Sequence, residues 1–181
     1  IYAQLDRHKA QALSHRIEHL GLPSKDHLQL MRDLNVSCVS QPIFLYELGP
    51  NFRKYLPDVY LQHVYPYRSV LDAGVRLAFS SDAPVVSDFN PLMGIRNAIE
   101  RIDVQGELIA GEERIELAEA LHAYTHGAAQ VTGSEETNGD LSPGKWADFI
   151  VLDQNPFQVK AAALADLTVM ETWVGGVKIS A

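Results

Sequence analysis

The spacing of apolar positions changes several times along the chain, and each change marks an element. After Ser24, the residues Leu28, Met31 and Leu34 recur at helical spacing, and Ser24 is suited to cap a helix that ends near Asn35. VSCVS (36–40) is a short apolar run rich in β-branched residues and stopped by Pro42, the pattern of a strand. The stretch from 42 to about 66, rich in Pro, Tyr and Phe, is expected to be a loop. YRSVLDAG (67–74) reads as a helix closed by Gly74 in the left-handed conformation, and VRLAFSS (75–81) as the next strand. NPLMGIRNAIERI (90–102) and ERIELAEALHAYTHGAAQVTG (113–133) are helical, the second with Leu117, Leu121 and Tyr124 on one stripe. A polar helix is also expected over about residues 3–13. Strand and helix alternating in this way predict parallel strands joined by crossovers.

Beyond about residue 133 the pattern is different. GDLSPGKWADFIVLD (139–153) leads through turns into the strand ADFIVLD, and TVMETWVGGVKIS (168–180) reads as two strands around the Gly175-Gly176 turn. Two regions are therefore expected, an α/β part over 1–133 and a small β module over 134–181. Trp146 and Trp173 are expected on strands of that module as core or interface aromatics.

Composition narrows the possible functions. A net charge of −8 with scattered Lys and Arg argues against nucleic acid as a partner. No run of roughly 18 apolar residues offers a membrane span, and the N-terminus has no secretory pattern. The single cysteine, Cys38, lies in an apolar run and reads as a small buried hydrophobe. A cytoplasmic protein is expected.

Candidate chemistry begins with HRIEHL (15–20). Histidines four apart suit one face of a helix, but here the glutamate precedes the second histidine, and Gly21 and Pro23 break any helix after His19. A brief strand ending at His19 is the better reading. His15 then lies at the opposite end, more than 10 Å away at roughly 3.3 Å per residue, and is structural. In parallel α/β arrays the functional groups sit at the carboxyl ends of strands. His19 occupies such an end, and so does Asp82 in FSSDAPV (79–85). A carboxylate there can bind a divalent metal and take a proton from water that the metal acidifies; it can equally cap the following turn. Glu18 either supports His19 through its second ring nitrogen or faces away on the strand.

The succession HRIEHL, VSCVSQP, YPYRSVLDAGVRLAFSSDAPV, NPLMGI, LHAYTHGAAQVTG, GDLSPGKWADFIVLD and VGGVKI resembles the C-terminal part of a metal-dependent amidohydrolase. It is most similar to the branch acting on exocyclic amides, which includes N-substituted formamide deformylases and is related to D-aminoacylases. The GxLxxGKxADFIVLD and SDAPV segments are the most specific.

The resemblance implies the C-terminal part of a (β/α)8 TIM barrel, about three strands with their helices, joined to part of a composite β-sandwich. It makes His19 the metal-ligand histidine ending the sixth strand and Asp82 the aspartate ending the eighth. Asp82 would bind metal, act as base toward water and then as acid toward the leaving amine. The cofactor implied is a divalent metal, zinc, as one or two ions. The reaction implied is hydrolysis of carbon–nitrogen bonds other than peptide bonds, in substrates such as N-acyl or N-formyl amides. Gln41 and the loop from 42 to 66 fall where substrate should sit. Phe44 replaces a histidine that many relatives carry, which implies a changed substrate pocket. His63, His122 and His126 fall outside the ligand set.

The family's first-strand HxH pair, its fourth-strand bridging residue and its fifth-strand histidine have no counterpart here. An eight-unit barrel takes about 250 residues. The chain is therefore expected to be a fragment, inactive by itself and self-associating through the exposed edges of a cut barrel. The alternative is a non-catalytic split-barrel remnant used for binding or assembly.

Overall fold

The computed structural model describes residues 13–180. The helix expected over 3–13 lies outside them but for its last residue. Strand β1 (Arg16–Glu18) is followed by helix α1 (Lys25–Asp33), and strand β2 (Ser37–Ser40) runs parallel to β1, pairing Ile17 with Cys38. Ser24 caps α1 as its side chain accepts from His27 N–H, and the His27 ring accepts from Ser24 N–H. Leu28, Met31, Leu34 and Val36 are buried, which fixes the face that α1 turns to the sheet.

All four residues of β2 are buried, as befits a strand flanked on both sides and covered on both faces. The expected loop from 42 to 66 is instead largely helical: α2 (Ile43–Glu47), α3 (Gly49–Tyr55) and α4 (Asp58–Leu61) lead to α5 (Tyr67–Asp72). Each proline in this stretch stands at a helix start. Pro42, Pro57 and Pro66 are N-caps and Pro50 lies in the first turn of α3, where a missing N–H costs nothing. Helix α5 stops before Gly74 (φ +74°), and strand β3 (Leu77–Phe79) adds to β2 in parallel, giving the order β1-β2-β3.

Helix α6 (Pro91–Glu100) is capped by Asn90. The helix expected over 113–133 divides into α7 (Leu117–Tyr124) and α8 (His126–Thr132), because Thr125 leaves the helical region (φ −116°, ψ −92°). In α7 the small residues Ala120 and Ala123 are the fully buried positions, and Leu117, Leu121 and Tyr124 pack around them. Two glycines permit the close packing. A Cβ at Gly94 of α6 would fall 1.9 Å from the Tyr124 hydroxyl oxygen, and one at Gly127 of α8 would fall 2.5 Å from the Leu77 carbonyl oxygen. Helix α8 thus lies directly against the backbone of β3.

A second, antiparallel sheet is built from β4 (Phe149–Leu152), β5 (Val169–Val174) and β6 (Val177–Ser180). Gly175 and Gly176 both take positive φ (56° and 77°), as a tight hairpin turn requires. Trp173 stacks on Phe149 at 5.5 Å, whereas Trp146, expected on a strand, precedes β4 and is exposed. Val151, Val169, Val174, Val177 and Ile179 are also exposed, and no second layer covers them among the described residues. Between β4 and β5 the chain returns to the first region, where Leu164 and Leu167 join its core. No helix among the described residues is long and apolar enough to cross a membrane.

One buried cation organises the barrel-like part. Arg101, fully buried, ends α6 in the left-handed conformation (φ 55°). Its guanidinium donates to the carbonyls of Val64 (2.7 Å), Tyr65 (3.1 Å) and Ile109 (2.9 Å) and lies 5.2 Å from the centre of the Tyr67 ring. Burial pulls its pKa down to about 10, which leaves it charged at neutral pH. A planar fork of five donors can serve several carbonyls at once.

Candidate active site

The three parallel strands point the same way, so the residues that leave their carboxyl ends share one mouth. His19 follows β1, Gln41 follows β2, and Ser80 to Asp82 follow β3. The chain turns sharply at both outer positions, since His19 (φ 68°) and Asp82 (φ 56°) take the left-handed conformation. His19 is still tied to the sheet by its N–H, which donates to the Val39 carbonyl at 2.8 Å. On the other side, Ser80 N–H donates to the Ser40 carbonyl at 2.9 Å. The strand ends are fixed before the turns begin.

The side chains converge. His19 Nε2 lies 4.0 Å from Asp82 Oδ2, with the two side chains 47% and 35% exposed and so open to a solute. His19 Nδ1 is 2.8 Å from Gln41 Oε1, and Gln41 Nε2 donates to Ser80 Oγ at 2.8 Å. The Phe44 ring lies nearly parallel to the His19 ring, 5.6 Å away at 12°. Tyr65 stands edge-on to Phe44 at 6.3 Å. Its phenol is pushed up to about 12, first by burial and then by the Asp82 carboxylate, so it remains a proton donor at neutral pH.

His19 and Asp82 thus meet as their strand-end positions predict. Gln41 and Phe44 lie beside them but are 1% and 7% exposed, so they back the imidazole and leave little surface for a substrate. Leu45, next to Phe44, is fully buried. Sequence reasoning missed two neighbours. Ser80 directly follows β3 and precedes Asp82 by two residues, a nearness in sequence that could have been read. Tyr65 reaches the site from the turn before α5, with φ 50°, and nothing local announces it.

The donors fit a divalent cation as part of its ligand set. His19 Nε2 and an Asp82 carboxylate oxygen would hold it, and the second histidine nitrogen is already engaged. Among the described residues no group of three or more His, Cys, Asp or Glu could hold a metal by itself. Glu18 turns aside to pair with Arg16 at 2.7 Å. The rings of His122 and His126 lie 5.2 Å apart, tilted by 56°, on α7 and α8, where His126 Nδ1 is 3.3 Å from an Asp140 carboxylate held by Lys145 at 2.7 Å. His63 lies 3.9 Å from Glu113. Cys38 is buried beneath the site, its thiol pushed up to about 12 chiefly by that burial, and is inert.

The chain is similar to known hydrolases. The N-substituted formamide deformylase of Arthrobacter pascens is 31% identical over 164 residues, covering 90% of this chain and 30% of that protein. The chain thus spans less than a third of that relative's length. A metal-dependent hydrolase of Pyrococcus furiosus matches in structure with a TM-score of 0.68 at 32% identity, over 80% of this chain and 29% of the other. One from Pyrococcus horikoshii matches at 0.72 and 27%, over 82% and 30%. The parallel sheet and the separate antiparallel sheet accord with part of a TIM barrel and part of a sandwich. Matched by the amidohydrolase family model over residues 1–179, with its strand-end histidine and aspartate facing each other across one mouth, the chain belongs to the amidohydrolase family.

Proposed function

We propose that this chain carries part of the active site of a metal-dependent hydrolase of carbon–nitrogen bonds other than peptide bonds, with N-acyl or N-formyl amides as substrates. The observation that carries the reading is the 4.0 Å approach of His19 Nε2 to Asp82 Oδ2 across the end of β2. A neutral imidazole nitrogen beside a carboxylate oxygen is a donor pair suited to zinc. When bound, the cation supplies Lewis acidity toward the amide carbonyl and toward water. His19 would hold it through Nε2 and Asp82 through its carboxylate, with the remaining ligands supplied from outside the described residues.

Asp82 also moves the proton. Its carboxylate accepts a proton from the attacking water as the new carbon–oxygen bond forms, then returns it to the amine nitrogen as the carbon–nitrogen bond breaks. Its exposure leaves it within reach of both. The products are a carboxylic acid and an amine, and no oxidant or reductant is needed.

The test is an assay of N-formyl and N-acyl amides with the longer protein that contains this chain. Asp82→Asn should lower kcat about 10²–10⁴-fold, the usual size of a general acid–base contribution. The 181-residue chain alone should give no zinc-dependent turnover, because catalytic zinc takes three protein ligands. Light scattering on the same sample should show self-association. Undiminished turnover by Asp82→Asn defeats the proposed role of Asp82, and robust zinc-dependent turnover by a monomer of this chain defeats the reading of it as an incomplete site.

A further inference from the structure

We propose that Gln41 is a positioning residue that holds His19 as its Nδ1–H tautomer, leaving the Nε2 lone pair directed toward Asp82. The inference rests on the hydrolase reading above and assigns Gln41 a role other than substrate contact.

The argument begins with burial. Gln41 is 1% exposed, and both ends of its amide are committed: Oε1 to His19 Nδ1 at 2.8 Å, Nε2 to Ser80 Oγ at 2.8 Å. Its backbone is also anchored, as its carbonyl accepts from Phe44 N–H at 3.0 Å at the start of α2. A side chain so buried offers almost no surface to a substrate. It does bridge the ends of β1 and β3 across the end of β2.

A neutral imidazole carries one proton, and an amide oxygen can only accept. With Oε1 against Nδ1, the proton must sit on Nδ1 and Nε2 must carry the lone pair. The reverse arrangement would put the amide NH2 against Nδ1 and the proton on Nε2. That proton would then face Asp82 Oδ2 across 4.0 Å, beyond hydrogen-bond reach. The observed orientation gives Nδ1 an acceptor and leaves the lone pair on Nε2, the atom that a cation requires.

The rest of this strand end holds the ring in place. Phe44 lies parallel beneath the imidazole at 5.6 Å, and Ser40 Oγ donates to the His19 carbonyl at 3.3 Å. Gln41 sets the protonation pattern, while Ser40 and Phe44 set the position. Partners of this kind typically account for 10–100-fold in metal affinity.

The experiment reads the tautomer directly. Long-range proton–nitrogen NMR of the 181-residue chain, with ¹⁵N-labelled histidine in mildly alkaline buffer, separates protonated from unprotonated ring nitrogens. Comparison with His19→Asn assigns the signals. The wild type should show His19 as Nδ1–H, Gln41→Met should lose that preference, and Gln41→Glu, which still accepts, should keep it. In the longer protein, Gln41→Met should bind zinc about 10–100-fold more weakly, with KM little changed. An Nε2–H wild type, an unchanged tautomer in Gln41→Met, or a change in Gln41→Glu overturns the proposal, as does a rise in KM alone. If the longer protein fails to hydrolyse amides at all, the hydrolase reading falls while the tautomer result stands on its own.

Discussion

Glu47 accepts two hydrogen bonds from Ser87, the backbone N–H at 3.1 Å and the hydroxyl at 2.6 Å. This pins the segment that follows Asp82 to the end of α2, the helix that carries Phe44. Both partners are at the surface, so the link contributes only about 1 kcal/mol. Its effect should be local. Glu47→Ala should free the Ser87 amide to exchange at the rate of an unprotected loop, while amides of β2 exchange as before. Unchanged protection at Ser87 would mean that the segment is held by something else.

Arg101 is the position where the fold should be most sensitive. Replacing it with Met leaves the carbonyls of Val64, Tyr65 and Ile109 buried without a donor, at about 1–3 kcal/mol each. Urea unfolding should show a loss of about 3 kcal/mol or more, a large part of the 5–15 kcal/mol typical of a domain. Arg101→Lys should recover little of it, since one ammonium cannot span three carbonyls. A loss below about 1 kcal/mol would contradict the bonding described.

Asp103 gives a pH dependence with a definite sign. Burial favours its neutral form, but the N–H groups of Glu107 and Gln105 and the Arg53 guanidinium outweigh this and hold its pKa below the usual carboxylate value. The stability it contributes is therefore complete above about pH 4, the unfolded value, and disappears as pH falls through the lower folded value. Asp103→Asn should be less stable at pH 7 and should lose less stability on acidification. An identical acid slope in both proteins would show that other carboxylates carry that transition.

The parts legible from sequence were those with local punctuation. Gly21 and Pro23 after His19, and Pro84 after Asp82, place both residues just beyond strand ends, and the structure puts them at one mouth. The prolines from 42 to 66 misled, because a proline that closes a strand looks the same in sequence as one that opens a helix. The break at Thr125 was equally hidden. It appears only with the approach of Gly127 to the β3 backbone, a contact between distant segments. For the same reason the partners of His19 were legible as neighbours but not as roles. The sequence alone places Gln41 and Phe44 toward a substrate, whereas in the structure they are buried against the imidazole.

His19 and Asp82, the two residues proposed to carry the chemistry, both occupy backbone conformations that glycine would adopt with less strain. Each costs of order 1–2 kcal/mol relative to an unstrained residue. Under laboratory selection for heat resistance alone, both codons should drift toward glycine, and the more robust survivors would be the ones that had forgotten their reaction.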